Sequence, residues 1–403
     1  MRGVRGIVPV LASVLAAELP AQFVNRATWL GFDQESVRRD FPQGPEYHLD
    51  RFGYVVLPPW SERGLPRFED RVSYRLGSTS STQFTVEGAL DQSVALGDGI
   101  GFRYHVLQSE NRDTRFLRNA VELEAGFGAR TAVFVQTELF AEKATIDVSA
   151  GVWLWREAEQ ALRLMVTAVD APSAKSREFA YRRDPYAVMA SGAFGAPTGL
   201  RVAFEIGGQL PLEVEDLTAT TVTRLQRWIG GLDLHVPLGE RDWLVFGGEL
   251  ERTWKELRAA TAGDPRDEDF RRDFRQVRCE SWRDAERRPW SLGVMHTGMR
   301  EDGRRPFDAS ENLLVRRDEW FGVVRVAVPT DGRLSFEPQL FAGHVRARFA
   351  DGGGERRHDR FEGKVAWNAR WDFSPRAWFA FSLTTQLDEL AFGGGGAQLV
   401  VRF

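Results

Sequence analysis

Apolar and polar residues alternate with a period of two along most of this chain, and this pattern restricts its fold more than any other feature. In one segment Phe361, Gly363, Val365, Trp367, Ala369, Trp371 and Phe373 alternate with Glu362, Lys364, Ala366, Asn368, Arg370 and Asp372. Leu244, Phe246, Gly248 and Leu250 oppose Val245, Gly247, Glu249 and Glu251 in the same way. Val121, Leu123, Ala125 and Phe127 oppose Ala120, Glu122, Glu124 and Gly126. A period of two is that of an extended strand with two chemically different faces. No uninterrupted apolar run approaches the ~20 residues of a membrane-spanning helix. Such a chain can cross a bilayer only as a barrel, because lipid offers its backbone groups no partners.

Short turns rich in Gly, Pro and Asp separate the alternating segments. Examples are Leu96-Gly97-Asp98-Gly99, Gly126-Phe127-Gly128-Ala129, Pro237-Leu238-Gly239-Glu240-Arg241 and Asp372-Phe373-Ser374-Pro375-Arg376. They take turns along the chain with longer, more polar connections at 170–183, 207–221, 258–269, 300–311 and 351–360. Counting back from the C-terminus gives about eighteen strands, within a range of 16–18. The fold expected is all-β: a transmembrane antiparallel up-and-down β-barrel over residues 67–403. The weakest of these strands is 268–280, because the segment 264–287 is dense in Arg, Asp and Glu and also reads as a loop or a short helix. A soluble β-sandwich also alternates, but its strands are usually shorter than the ~10 or more residues read here.

The chain starts with Met1-Arg2-Gly3-Val4-Arg5, an apolar stretch from Ile7 to Ala17, and small residues before a cut after Ala21. That is the layout of a secretory signal peptide over residues 1–21. Residues 22–66 fit the strand pattern poorly and are read as a periplasmic lead-in or a plug segment. A formal net charge of −4 provides no basic field for nucleic acid. A single cysteine, Cys279, excludes an internal disulfide. The 13 Trp and 28 Phe suit aromatic girdles at two membrane interfaces.

The last segment, Gly394-Gly395-Gly396-Ala397-Gln398-Leu399-Val400-Val401-Arg402-Phe403, is a glycine turn followed by an alternating strand with a terminal aromatic residue. It resembles the closing strand of Gram-negative outer-membrane β-barrel proteins of the porin-like kind. The resemblance implies a location in the cell outer membrane. It further implies that Phe403 belongs to the signal read by the barrel-assembly machinery, and that outer-membrane lipid surrounds the chain. It leaves open whether the protein forms a homo-oligomer.

No catalytic constellation is present: there is no Gly-x-Ser-x-Gly elbow, no His-Glu-x-x-His and no paired-cysteine metal motif. Neither enzyme activity nor a metal or other cofactor is therefore expected. The acidic loop 263–269 has carboxylates but lacks the spacing of a calcium loop. His105 and His235 fall on inward faces and read as wall residues. The candidates for lumen and selectivity roles are Glu87, Arg103, Glu122, Glu124, Asp147, Arg163, Arg201, Glu205, Glu249, Arg325, Lys364 and Arg370. Rings of charged side chains bias which solutes pass a pore. The function expected is passive diffusion of small hydrophilic solutes or ions. The competing expectation is a closed-lumen barrel acting as an anchor or an assembly or export partner for a surface polymer or secretion system. A membrane-embedded hydrolase would need His, Ser and a carboxylate brought together on one wall.

Overall fold

The computed structural model describes residues 70–402 apart from short stretches, the longest being 79–83, 112–114, 140–145, 172–178, 284–288 and 305–311. The expected leader (1–21), the segment 22–66 and Phe403 lie outside the described residues. No described helix is long and apolar enough to cross a membrane.

The chain is built of strands. They are β1 (Arg71–Ser78), β2 (Phe84–Gly97), β3 (Ile100–Asn111), β4 (Arg115–Phe127), β5 (Thr131–Leu139), β6 (Ile146–Glu157) and β7 (Gln160–Ala171). Next come β8 (Phe179–Arg183), β9 (Tyr186–Gly195), β10 (Arg201–Asp216), β11 (Thr221–Pro237), β12 (Asp242–Ala259), β13 (Glu268–Arg283) and β14 (Trp290–Arg304). The last are β15 (Leu313–Val326), β16 (Val328–Pro329), β17 (Leu334–Asp351), β18 (Gly354–Ser374), β19 (Ala377–Gln386) and β20 (Phe392–Arg402).

From β2 onward the strand positions pair antiparallel with their successors in an up-and-down meander, all in one sheet. β8 and β9 both pair with β10, and β15 and β16 both pair with β17, so twenty segments fill eighteen positions. The fold is therefore all-β with eighteen antiparallel strands, as the alternation predicts. β20 turns back onto β1, from Arg71↔Arg402 to Ser78↔Gly395. First and last strands are thus neighbours, the relation that rolls a meander into a barrel. One seam remains: β1 and β2 lie side by side, without a hydrogen-bonded ladder between them among the described residues.

Breaks in the ladder have local causes. Proline has no N–H to donate, so it is confined to bulges and interruptions. Pro211 stands at the register shift of β10 between Gln209 and Leu212. Pro338 of β17 stands where the partner strand is interrupted between β15 and β16.

Several polar connections expected as loops are strand instead. β10 continues to Asp216, β14 to Arg304, and β18 begins at Gly354. The doubtful segment is the 16-residue strand β13. The period-two reading ends these strands short because both faces are charged there, so the alternation fades while the backbone pairing persists. β18, at 21 residues, is about 70 Å long. At a barrel tilt near 40° it exceeds the ~25 Å apolar band of such proteins. The ends of the long strands project beyond the bilayer, on the side away from the chain ends.

The two faces are inverted relative to a water-soluble protein. Outward positions are exposed and apolar, among them Leu123, Val135, Val166, Ile206, Val277, Val294, Trp320, Leu340 and Phe381. Inward positions are buried and often charged, among them Glu122, Arg163, Glu205, Glu280, Glu319 and Arg325. A folded soluble chain rarely exposes a continuous apolar surface or buries so many ionisable groups. The inward wall is not uniformly polar, however. Phe134, Trp153, Met165 and Met189 form one buried apolar cluster, and Met295, Phe321, Phe341 and Val345 form another.

Candidate functional site

The inward wall holds the charged residues singled out by the alternation. On one side Arg163 of β7 reaches past β6 and β5 to Glu122 of β4, with Nη2 to Oε2 at 2.5 Å. The same guanidinium donates to Gln136 Oε1 at 3.2 Å. It also lies over the rings of Phe134 and Trp153, at 4.1 and 5.1 Å. Arg103 also lies over the Trp153 ring, at 5.8 Å. The intervening strand β6 leaves no room for a side chain at Gly151, where a Cβ would meet the carbonyl of Leu164 and the ring of Phe134. Neither Glu122 nor Arg163 is more than 1 % exposed. Charges this deep are tolerated only when paired.

The opposite part of the wall repeats the arrangement. Arg325 of β15 bridges β14 to reach Glu280 of β13 at 2.9 Å, and Ser291 Oγ donates to the other Glu280 oxygen at 3.1 Å. Arg317 pairs with Glu319 at 2.5 Å, and Arg272 with Glu301 at 3.3 Å. Lys364 lies over Phe321 at 4.7 Å. Arg278 and Asp233 pair across β12 above Gly247, where a Cβ would collide with the Arg278 side chain. His235 is buried and packs edge-on against Trp282 at 5.5 Å.

Of the residues singled out, Glu122, Glu124, Asp147, Arg163, Glu205, Arg325 and Lys364 are buried on the inward wall. Glu249 lies half-buried on the inward face of β12. Arg201 stacks over Trp243 at 5.1 Å, and Arg370 over Trp378 at 4.3 Å while pairing with Asp372 at 2.7 Å. The side chains of Glu87 and His105 lie outside the described residues. Glu122 and Arg163, both among the candidates, pair directly with each other. Arg325 finds Glu280, which the sequence reading did not single out because it lies in the charge-dense segment 264–287, the weakest of the strands counted. Alternation of Phe274, Gln276, Arg278, Glu280 and Trp282 was the signal that could have found it.

Among the described residues no group of three or more His, Cys, Asp or Glu could hold a metal ion. In the acidic loop Asp264 is taken up by Arg266, at 2.8 Å.

No family model matches the chain, and no curated protein does. Solved structures with a similar shape are outer-membrane proteins. One is a loop-deletion form of OmpT, an outer membrane protein of Vibrio cholerae. It is 8% identical, with a TM-score of 0.37, and the match covers 83% of this chain and 97% of that one. Another is Acinetobacter baumannii OccAB3, at 10% identity and a TM-score of 0.37, covering 83% and 97%. A third is a bacterial polysaccharide outer membrane secretin, at 9% identity and a TM-score of 0.36, covering 83% and 98%. Likenesses this distant assign no activity to the chain, and the membrane-barrel fold rests on its own inverted faces and strand order.

Proposed function

We propose that the protein is a porin-like channel of the outer membrane, passing small hydrophilic solutes or ions by passive diffusion. The observation that supports this reading is the inversion of its faces: apolar outward, charged inward. Ionisable groups are costly to hold away from water, and a lumen that admits water and ions is the simplest environment that repays them. The reading involves no catalytic step and no cofactor. It takes outer-membrane lipid and the barrel-assembly machinery as the partners of the chain.

One observation favours a second reading. Glu122, Arg163, Glu280 and Arg325 are each 2 % exposed or less, and all four are engaged in ion pairs. Side chains lining a wide bore would be wetter. A closed-lumen barrel serving as an anchor or as an assembly or export partner for a surface polymer or secretion system matches that burial.

Conductance of the purified, refolded chain in a planar bilayer separates the two. Discrete ohmic steps are expected from a channel, with ion selectivity read from the reversal potential. A silent bilayer that contains correctly folded barrel would reject the channel and favour the closed form. Deleting residues 23–65 would then report whether that segment blocks the lumen.

A further inference from the structure

The outward face carries a second charged feature, which the channel reading does not use. Above the apolar band, strand register places arginine opposite arginine on four consecutive strands. Arg300 of β14 is opposite Arg316 of β15, Arg316 is opposite Arg348 of β17, and Arg348 is opposite Arg357 of β18. The row continues through Asp273 of β13 to Arg252 of β12. Cross-strand partners lie about 5 Å apart, and like charges directly opposite each other destabilise a sheet.

The nearby carboxylates offset this only in part. Glu355 takes both Arg348 and Arg357, and Asp302 takes Arg300 at 2.6 Å. Arg316, in the middle of the row, has no carboxylate partner among the described residues. Two of the acids sit lower than the arginines they pair with, whereas Asp318 and Asp359 reach 46% and 61% exposure. Arg357 is 73% exposed against 31% for Glu355, and Arg252 is 59% exposed against 25% for Asp273. Arginines outnumber carboxylates along the row, so this surface is net positive. An open cavity of about 750 Å³ lies along the row, lined by eight arginines and three aspartates.

The height of the row identifies what it meets. Trp320 and Phe361 are exposed outward aromatics, joined through His344 in one cross-strand row. Arg316 and Arg357 stand four residues farther along the same strands, which is about 13 Å of strand and about 10 Å along the membrane normal. That is headgroup height, at the end of the barrel away from the chain termini. In single-chain outer-membrane barrels this end faces outward from the cell.

We propose that this arginine row is a docking surface for phosphate groups of lipid headgroups in the surrounding outer leaflet. Guanidinium groups suit phosphate through paired N–H donors, and a phosphate set between two of them replaces their repulsion with two attractions. The proposal rests on the barrel orientation but not on an open lumen.

The test uses the full chain refolded into phosphatidylcholine vesicles with and without phosphatidic acid, and lipid retained after mild detergent extraction is measured by native mass spectrometry. The wild type is expected to retain phosphatidic acid in preference to phosphatidylcholine. Arg316→Gln and Arg348→Gln should each lower that preference about fivefold, and the Lys variants should keep most of it. Arg283→Gln, an exposed arginine at the opposite end, should change nothing and controls for folding, as does heat-modifiable migration of every variant. Equal retention of both lipids, or a preference unchanged in the Gln variants, would overturn the proposal. Displacement by inorganic phosphate alone would reassign the row to free phosphate. Tighter binding of a soluble sulfated polysaccharide than of the lipid would reassign it to a polyanion. Conductance of the same samples reports separately on the channel, because these side chains point away from the lumen.

Discussion

At the scale of single residues, the inward wall stands on charge pairs that neither partner could sustain alone. Arg163 offsets the buried Glu122 carboxylate, donates to Gln136 and covers two aromatic rings. Removing one member of a buried pair strands the other, at a cost of roughly 3–5 kcal/mol. Arg163→Ala is therefore expected to lower stability by about that amount in denaturant titrations of the refolded protein. Replacing both partners together, as Glu122→Gln with Arg163→Met, should cost much less. A double variant that loses as much as the Glu122→Gln and Arg163→Met single variants added together would mean that the pair is not coupled. The inward direction of Glu122 and Arg163 was legible from alternation. Their meeting across two intervening strands was not, because it depends on the register of four successive strands.

At the scale of elements, β13 shows how charge can hide a strand. Its own Arg, Asp and Glu side chains fall on both faces, so its apolar residues form no continuous stripe, yet its register with β12 and β14 is continuous. The loop between β12 and β13 is organised by charge as well. Asp264 accepts from the Arg266 backbone N–H at 2.9 Å and from its guanidinium, while Arg266 reaches the Ala219 carbonyl. The Arg266 hydrogen bond holds the Asp264 carboxyl down at about 2. A depressed carboxylate contributes order that is fully present above its ordinary value near 4 and is lost as pH falls toward 2. Amide protection at Arg266 and Asp267 is expected to decline across that window, and Asp264→Asn should remove the decline by abolishing the protection at neutral pH. Protection that stays level from pH 5 to 2, on the order of the window just named, would show that the loop is held by something else.

At the scale of the whole molecule, the inverted faces make a prediction that does not depend on conduction. Trp320, Trp367 and Trp371 are exposed on the outward surface, whereas Trp153, Trp282 and Trp378 are buried inward. Acyl-chain brominated lipid should quench the first set and spare the second. Trp320→Phe and Trp367→Phe should each remove part of the quenchable fluorescence, and Trp153→Phe should remove none of it. Quenching that follows Trp153 would reverse the assignment of the two faces.

Strand number and the two faces were carried by the sequence itself. Period two sets which side chains share a face, and turn residues mark where the chain reverses; both are local properties. The eighteen strand positions follow from these two signals alone. Cross-strand partners were decided only by the tertiary structure. The reach of Arg325 to Glu280 and the alignment of Arg300, Arg316, Arg348 and Arg357 both depend on register between strands. A shift of one residue would turn each side chain to the other face, and a shift of two would keep the faces but separate the arginines. Register is set by the whole ladder, bulges included, so no single segment contains it.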